Sequence, residues 1–187
     1  MKTIVIAPTS QKKWLKTLDI RNQDWRKYYL LPYRTTNDSK LRILQFKIIH
    51  RILATNKRLK LFGYKDSDLC DFCKTEIETI SHLFWECGVT KQFIRMIFSY
   101  LLVNCNIHIQ ESMVNMIFGI LPIKDNLVTN NFLLILKNYI FRKSHQAKEL
   151  NFTEFQKYIE HYQSIEESYL PYEIWVKKWV PVLDFWK

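Results

Sequence analysis

The chain has 187 residues, 48% hydrophobic and 15% aromatic, with a net charge of +10, enough apolar matter to bury an ordinary core and too much for a disordered tail. Three glycines and five prolines, scattered along the chain, leave no flexible linker and little of the turn chemistry an all-β fold consumes, so a mainly α-helical domain is expected. No apolar run approaches the roughly 18 residues of a membrane span, and the opening MKTIVIAP has too short an apolar core for a secretion signal, so an intracellular protein with no membrane partner is expected.

The charge is uneven along the chain. Residues 1–62 hold 15 Lys and Arg against three Asp, a net of +12, while the remaining 125 hold 13 basic and 15 acidic residues, a net of −2. Clustered cations release counterions from a phosphate backbone, although lysines also serve plain solubility. Within SKLRILQFKIIHRILATNKRLKLFG, residues 39–63, Leu41, Ile48, Ile49, Ile52 and Leu53 recur on one helical face, and Ser39 stands where it can cap the start. Lys40, Lys47 and Arg51 fall within about 40° of one another on the same wheel, roughly opposite the apolar face. Thr55 and Asn56 read as a break and a new cap, after which Lys57, Arg58 and Lys60 add positive charge. These six cations are expected to meet nucleic-acid phosphates; a solvated helix face is the plain alternative.

Next comes CDFCKTEIETISHLFWEC, residues 70–87, which takes three of the four cysteines of the chain. Its spacing, Cys70-x2-Cys73-x8-His82-x4-Cys87, supplies three thiolates and one imidazole, a closed tetrahedral set for structural Zn2+ with no position left for water. The Cys-x2-Cys turn can aim backbone N–H groups at the sulfurs, and Thr79 can cap a short helix carrying His82. Five residues on a regular helix turn through about 140°, so that helix has to end or unwind before Cys87, with Gly88 suited to a left-handed stop. A redox Cys-x2-Cys needs a βαβ context and leaves His82 and Cys87 without a role, and a cysteine nucleophile uses only two of the four. A disulfide framework does not suit a reducing compartment. Cys105 is expected in the core, and its pair with His108 has no partners elsewhere. Asp66, Asp68, Asp71, Glu76 and Glu78 crowd this segment and read better as a solvated loop than as a second metal site.

Downstream, Thr90 can cap KQFIRMIFSYLLV, with Phe93, Ile97, Tyr100 and Leu101 at helical spacing. Asp125 begins a long helix in which Leu133, Leu134, Leu136 and Ile140 pack inward, while Lys137, Arg142, Lys143 and Lys148 gather toward its end, extending the ridge or complementing the helix dipole. Thr153 caps a further helix, and the tail with Trp175, Trp179 and Trp186 is expected to dock on the core rather than stack bases. The whole reads as a mainly α, single helical domain over 1–187: basic N-terminal helices at 1–62, a CCHC zinc-binding loop or knuckle at 63–89 with a two-stranded hairpin across Leu69 to Glu76, and a helical region at 90–187.

KLRILQFKIIHRILATNKRLKLFG followed by DLCDFCKTEIETISHLFWEC resembles the zinc-binding domain at the C-terminal end of non-LTR (LINE-type) retrotransposon reverse transcriptases. Trp14, Trp25 and LPYRTTNDSKLR match the family's W…W…PY lead-in, and Gln45, Lys47, His50, Arg51, Leu53, Thr55 and Asn56 match its Q-x-K-x-x-H-R-x-L-x-T-N helix. Glu78, Thr79, His82, Leu83, Phe84, Trp85 and Cys87 match the ligand block; Phe118-Gly119, NYIFRK and Trp179-Val180-Pro181 echo later motifs, and Ala54 stands where the family commonly has proline. The resemblance implies a module that handles nucleic acid during target-primed reverse transcription, with the element's RNA or an RNA–DNA hybrid as ligand and the polymerase domain of the same polyprotein as neighbour. It implies no catalysis by this chain, which has no adjacent aspartate pair for two metal ions, no Gly-rich phosphate loop and no nucleophile elbow. The rival class is a structural or protein-interaction module in which zinc only rivets helices together.

Overall fold

The computed structural model describes residues 8–18 and 24–182; the start of the MKTIVIAP stretch and Trp186 lie outside them. Among the described residues the chain is mostly helical: α1 (Thr9–Thr17), α2 (Trp25–Thr35), α3 (Ser39–Ile49), α4 (Asn56–Leu61), a π-helical turn (His82–Glu86), α5 (Gly88–Cys105), α6 (Met113–Phe118), a 3₁₀ turn (Ile123–Asp125), α7 (Leu127–His145), α8 (Phe152–Glu167) and α9 (Tyr172–Trp179). No helix among them is long and apolar enough to cross a membrane. The expected hairpin is reduced to one antiparallel bridge, Leu69 with Ile77.

The helix boundaries move where a better cap stands next door. Asp38, not Ser39, caps α3, its carboxylate accepting from the N–H groups of Lys40 (2.6 Å) and Leu41 (3.0 Å). Asn151 rather than Thr153 caps α8 by accepting from the Glu154 N–H, whereas α7 starts after Asn126, not Asp125, with no capping side-chain bond. α3 ends at Ile49, several residues before the expected break at Thr55. Arg51 takes a left-handed backbone (φ 56°), and the bonds Arg51 N to Ile48 O and Ile52 N to Lys47 O close the end, the pairing by which a chain stops a helix, usually with glycine at that residue. Ile52, expected on the buried face, is 44% exposed as a result.

α7 forms the centre. Every residue from Asn130 to Ile140 is buried, the pattern of a helix covered on all sides, and it packs against α2, α3, α8, α9 and the π-helical turn. One hydrophobic cluster runs from Trp14 to Val182 and includes Leu133, Leu134, Leu136 and Ile140 as expected, together with Phe93, Ile97 and Leu101 of α5. Cys105 is half-buried against it. Lys137, expected among surface cations, is instead fully buried: its Nζ donates to Gln45 Oε1 (2.5 Å) and Ile117 O (3.3 Å). The tail docks, with Trp179 1% exposed and its Nε1 donating to Glu166 Oε2 (2.8 Å), beside a buried Lys178–Glu166 ion pair at 2.6 Å.

Candidate metal centre and its basic flank

The four donors sit on two pieces of chain that the backbone folds together. After α4, the loop doubles back through Cys70 N to Glu76 O and Glu78 N to Asp68 O, both 2.8 Å. Lys74, at φ 59°, makes the tight corner and its N–H returns to Cys70 O. Thr79 Oγ1 accepts from His82 N at 3.0 Å and so starts the second piece. There the helix widens: Cys87 N bonds to His82 O (2.9 Å), a five-residue span that closes a π turn. In a π turn residues five apart come back to nearly the same face, whereas in an α-helix they would stand about 140° apart. The unwinding required before Cys87 is thus achieved by widening. Gly88 is not a left-handed stop: α5 begins at it, with Cys87 in extended backbone as the preceding residue and Thr90 inside the first turn.

Cys70, Cys73, His82 and Cys87 bring one ligand atom each to within 4.8 Å of one another. Cys70 Sγ and Cys87 Sγ are 3.9 Å apart, and Cys73 Sγ and His82 Nε2 are 3.4 Å apart. Two sulfurs each 2.3 Å from one tetrahedral ion would be separated by about 3.8 Å, and a sulfur and an imidazole nitrogen by about 3.6 Å. The donor set therefore fits a zinc-sized tetrahedral ion, and three of its members are buried.

The surrounding groups favour thiolate at Cys87 and Cys73. In the Cys70–Cys87 pair, the Cys70 thiol is pushed up, first by its bond to Cys87 and then by burial, against the N–H groups of Cys73 and Phe72. Cys87 is held low, first by the Cys70 S–H, then by the Thr90 N–H and hydroxyl and the Val89 N–H at the start of α5. Cys73 is lowered too: burial pulls upward, but the Thr75 hydroxyl and N–H, the Glu76 N–H and His82 outweigh it. A helix N-terminus and a tight turn aim their free N–H groups at sulfur, the arrangement that makes a good metal ligand.

The acids of the loop are not simply solvated. Asp71 accepts from Lys65 (2.7 Å), Asn56 (2.8 Å) and Lys74 (3.0 Å); burial alone would raise its pKa, yet these bonds hold it at about 2. Glu78 is fully buried and accepts from the Asn56 N–H (3.0 Å) and the Ser144 hydroxyl (2.8 Å) of α7. Asn56 also donates through Nδ2 to Leu69 O and accepts at Oδ1 from Lys65, both 2.8 Å. Every polar atom of that asparagine side chain is satisfied across the joint between α4 and the metal loop. Nothing in the acidity of the mixed stretch Thr75-Glu76-Ile77-Glu78-Thr79-Ile80 singles out Glu78 as structural; its one signal in the sequence is its match to the ligand block of the resembled family.

The six cations do not form one ridge. Lys40 and Lys47 remain exposed on α3, and Lys57 on α4, none with an ion-pair partner among the described residues. Arg51 leaves the helix and lays its guanidinium over the Trp14 ring at 4.2 Å, half-buried. Arg58 donates to the Arg51 carbonyl (3.1 Å) and covers Phe62, and Lys60 pairs with Asp68 at 3.0 Å. Trp14 completes the joint, its Nε1 donating to Ile49 O (2.9 Å).

Compared with known proteins, residues 9–93 match the model of a family described as zinc-binding in reverse transcriptase. The match takes in α1 to α4 and all four donors and stops inside α5. No curated protein and no solved structure matches the chain.

Proposed function

We propose that the chain is a non-catalytic, zinc-stapled nucleic-acid-binding module of a non-LTR (LINE-type) retrotransposon reverse transcriptase, taking the element's RNA or an RNA–DNA hybrid and working beside the polymerase domain of the same polyprotein. The observation that supports this most is the joint at Asn56: the loop carrying the donors is bonded to α4, the last of four helices that contain no acidic residue. Zinc, when bound, supplies folding free energy to a loop with little core of its own. Lys40, Lys47 and Lys57 offer unpaired charge to phosphates. Arg58 stands beside them, and Lys60 holds only an exposed ion pair of the kind worth little in water. Arg51 serves by fixing the end of α3 against Trp14.

The test is fluorescence anisotropy of labelled RNA on zinc-loaded protein through a salt series. Affinity is expected to fall steeply from low to moderate salt, and Lys47→Glu to flatten the log–log slope by about 0.7 to 0.9. Binding that is undetectable, or indifferent to salt, would leave the rival interaction module standing instead.

A further inference from the structure

The outward face of α3 is not uniformly cationic. At 100° per residue, Phe46, His50 and Ile43 form its centre, with Arg42 on one flank and Lys47 and Lys40 on the other. Phe46 is 46% exposed, Ile43 52%, and Tyr33 of α2 57%. Tyr33, Ser39, Arg42, Ile43 and Phe46 line an open cleft of about 440 Å³ between the two helices. Phe46 is held in place from behind: it packs on His50 with centroids 4.2 Å apart, and His50 stacks on Tyr29 at 5.5 Å. The Arg42 guanidinium lies over the Tyr33 ring at 5.4 Å and is fixed by Thr36 O (2.6 Å), Tyr33 O (3.3 Å) and Asn37 Oδ1 (3.0 Å). None of those partners is an acid. The two carboxylates that border these helices, Asp24 and Asp38, are spent as their N-caps.

Aromatic rings left in water, interleaved with cations and with no anion among the residues that line the cleft, do not suit an ordinary solvated face, nor an apolar protein partner that would have to bury those charges. They suit a strand whose bases are free to stack while its phosphates reach the flanking cations. We propose that the α2–α3 cleft is a single-stranded nucleic-acid platform, with Tyr33 and Phe46 stacking bases and Arg42, Lys40 and Lys47 meeting the backbone. This rests on the nucleic-acid-binding reading above and narrows it to an unpaired strand.

The experiment compares wild type, Tyr33→Ala/Phe46→Ala and Phe46→Leu, all zinc-loaded, on one short single-stranded RNA and on the same sequence annealed as a duplex. Both side chains are exposed, so the melting temperature is expected to stay near that of the wild type. Single-strand affinity is expected to fall about tenfold or more in the double variant, with the salt slope unchanged because no charge is lost, and duplex affinity to stay within about twofold. Phe46→Leu keeps the apolar surface without the ring and is expected to lose most of what alanine loses at that position. A 4-thiouridine substituted RNA is expected to crosslink to the peptides carrying Tyr33 and Phe46. Equal single-strand binding by the double variant, or equal loss on duplex, overturns the single-strand platform, while salt-dependent binding would keep the broader function. Wild-type protein that binds neither RNA removes both.

Discussion

Ala147 and Arg51 sit where glycine is usual. Both follow a helix in left-handed backbone, with φ 51° and 56°, and both helices close through the same pair of bonds, at Ala147 N to Ser144 O and Lys148 N to Lys143 O in α7. A side chain there costs about 1 to 2 kcal/mol, part of which a glycine gives back in the unfolded chain. Ala147→Gly, at an exposed site, is expected to stabilise the protein by about 0.5 to 1 kcal/mol, read from the denaturant midpoint. Arg51 offsets the same cost by its packing on Trp14. Neither position was legible in the sequence, because the usual signal for a left-handed stop is the glycine itself and the chain has only three. The metal donors were legible for the opposite reason: four rare side chains at fixed local spacing need no long-range information.

Lys137 is a second residue whose role depends on partners far away in the chain. Burial pushes its pKa from 10.5 down to about 7. Between those values the unfolded chain binds a proton that the folded chain does not, so stability rises with pH across that window and is flat below it. Each pH unit climbed within the window is worth about 1.4 kcal/mol at most. Lys137→Met is expected to remove this rise: the wild type should gain stability relative to the variant between about pH 7 and 9.5, as measured by chemical denaturation at both. An identical pH dependence in the two proteins would show that the amine is charged and solvated.

Among the elements, periodicity served well for where helices lie and poorly for where they stop. The leucines and isoleucines of α7 turned inward as their spacing required, whereas the starts of α3 and α8 moved to an Asx side chain one and two residues earlier than expected. Two bonds decide such a boundary, and neighbouring Ser, Thr, Asp and Asn compete for them. The π turn at His82–Glu86 could be anticipated only as a need, since its widening follows from α5 having to begin directly after Cys87. Glu78 couples these elements by bonding both α4 and α7. Glu78→Ala would strand the Asn56 N–H and the Ser144 hydroxyl in a dry site, and is expected to cost about 2 to 4 kcal/mol with metal stoichiometry unchanged. Denaturant unfolding and elemental analysis on the same preparation check it.

At the scale of the whole molecule, the candidate metal centre is one wall of a larger core. Phe84, Leu83 and Ile80, next to the donors, belong to the cluster that includes α7. Cys73→Ser is expected to lower zinc content and melting temperature together, and hydrogen exchange to quicken first in residues 64–79 and the first turn of α5, with the centre of α7 the last to open. Full zinc content in that variant would contradict the four-donor site.

The segment that matches the family described as zinc-binding in reverse transcriptase stops at residue 93, yet two of its buried polar side chains are answered from beyond that point. Gln45 is matched by Ile117 and Lys137, and Glu78 by Ser144. A fragment trimmed to the matched stretch would thus carry an amide with nothing to bond and a carboxylate left with the Asn56 N–H alone, surrounded by apolar surface that α7 no longer covers. Such a fragment should precipitate or bind indiscriminately, and a shortened version of this protein fit for study has to extend at least past Ser144.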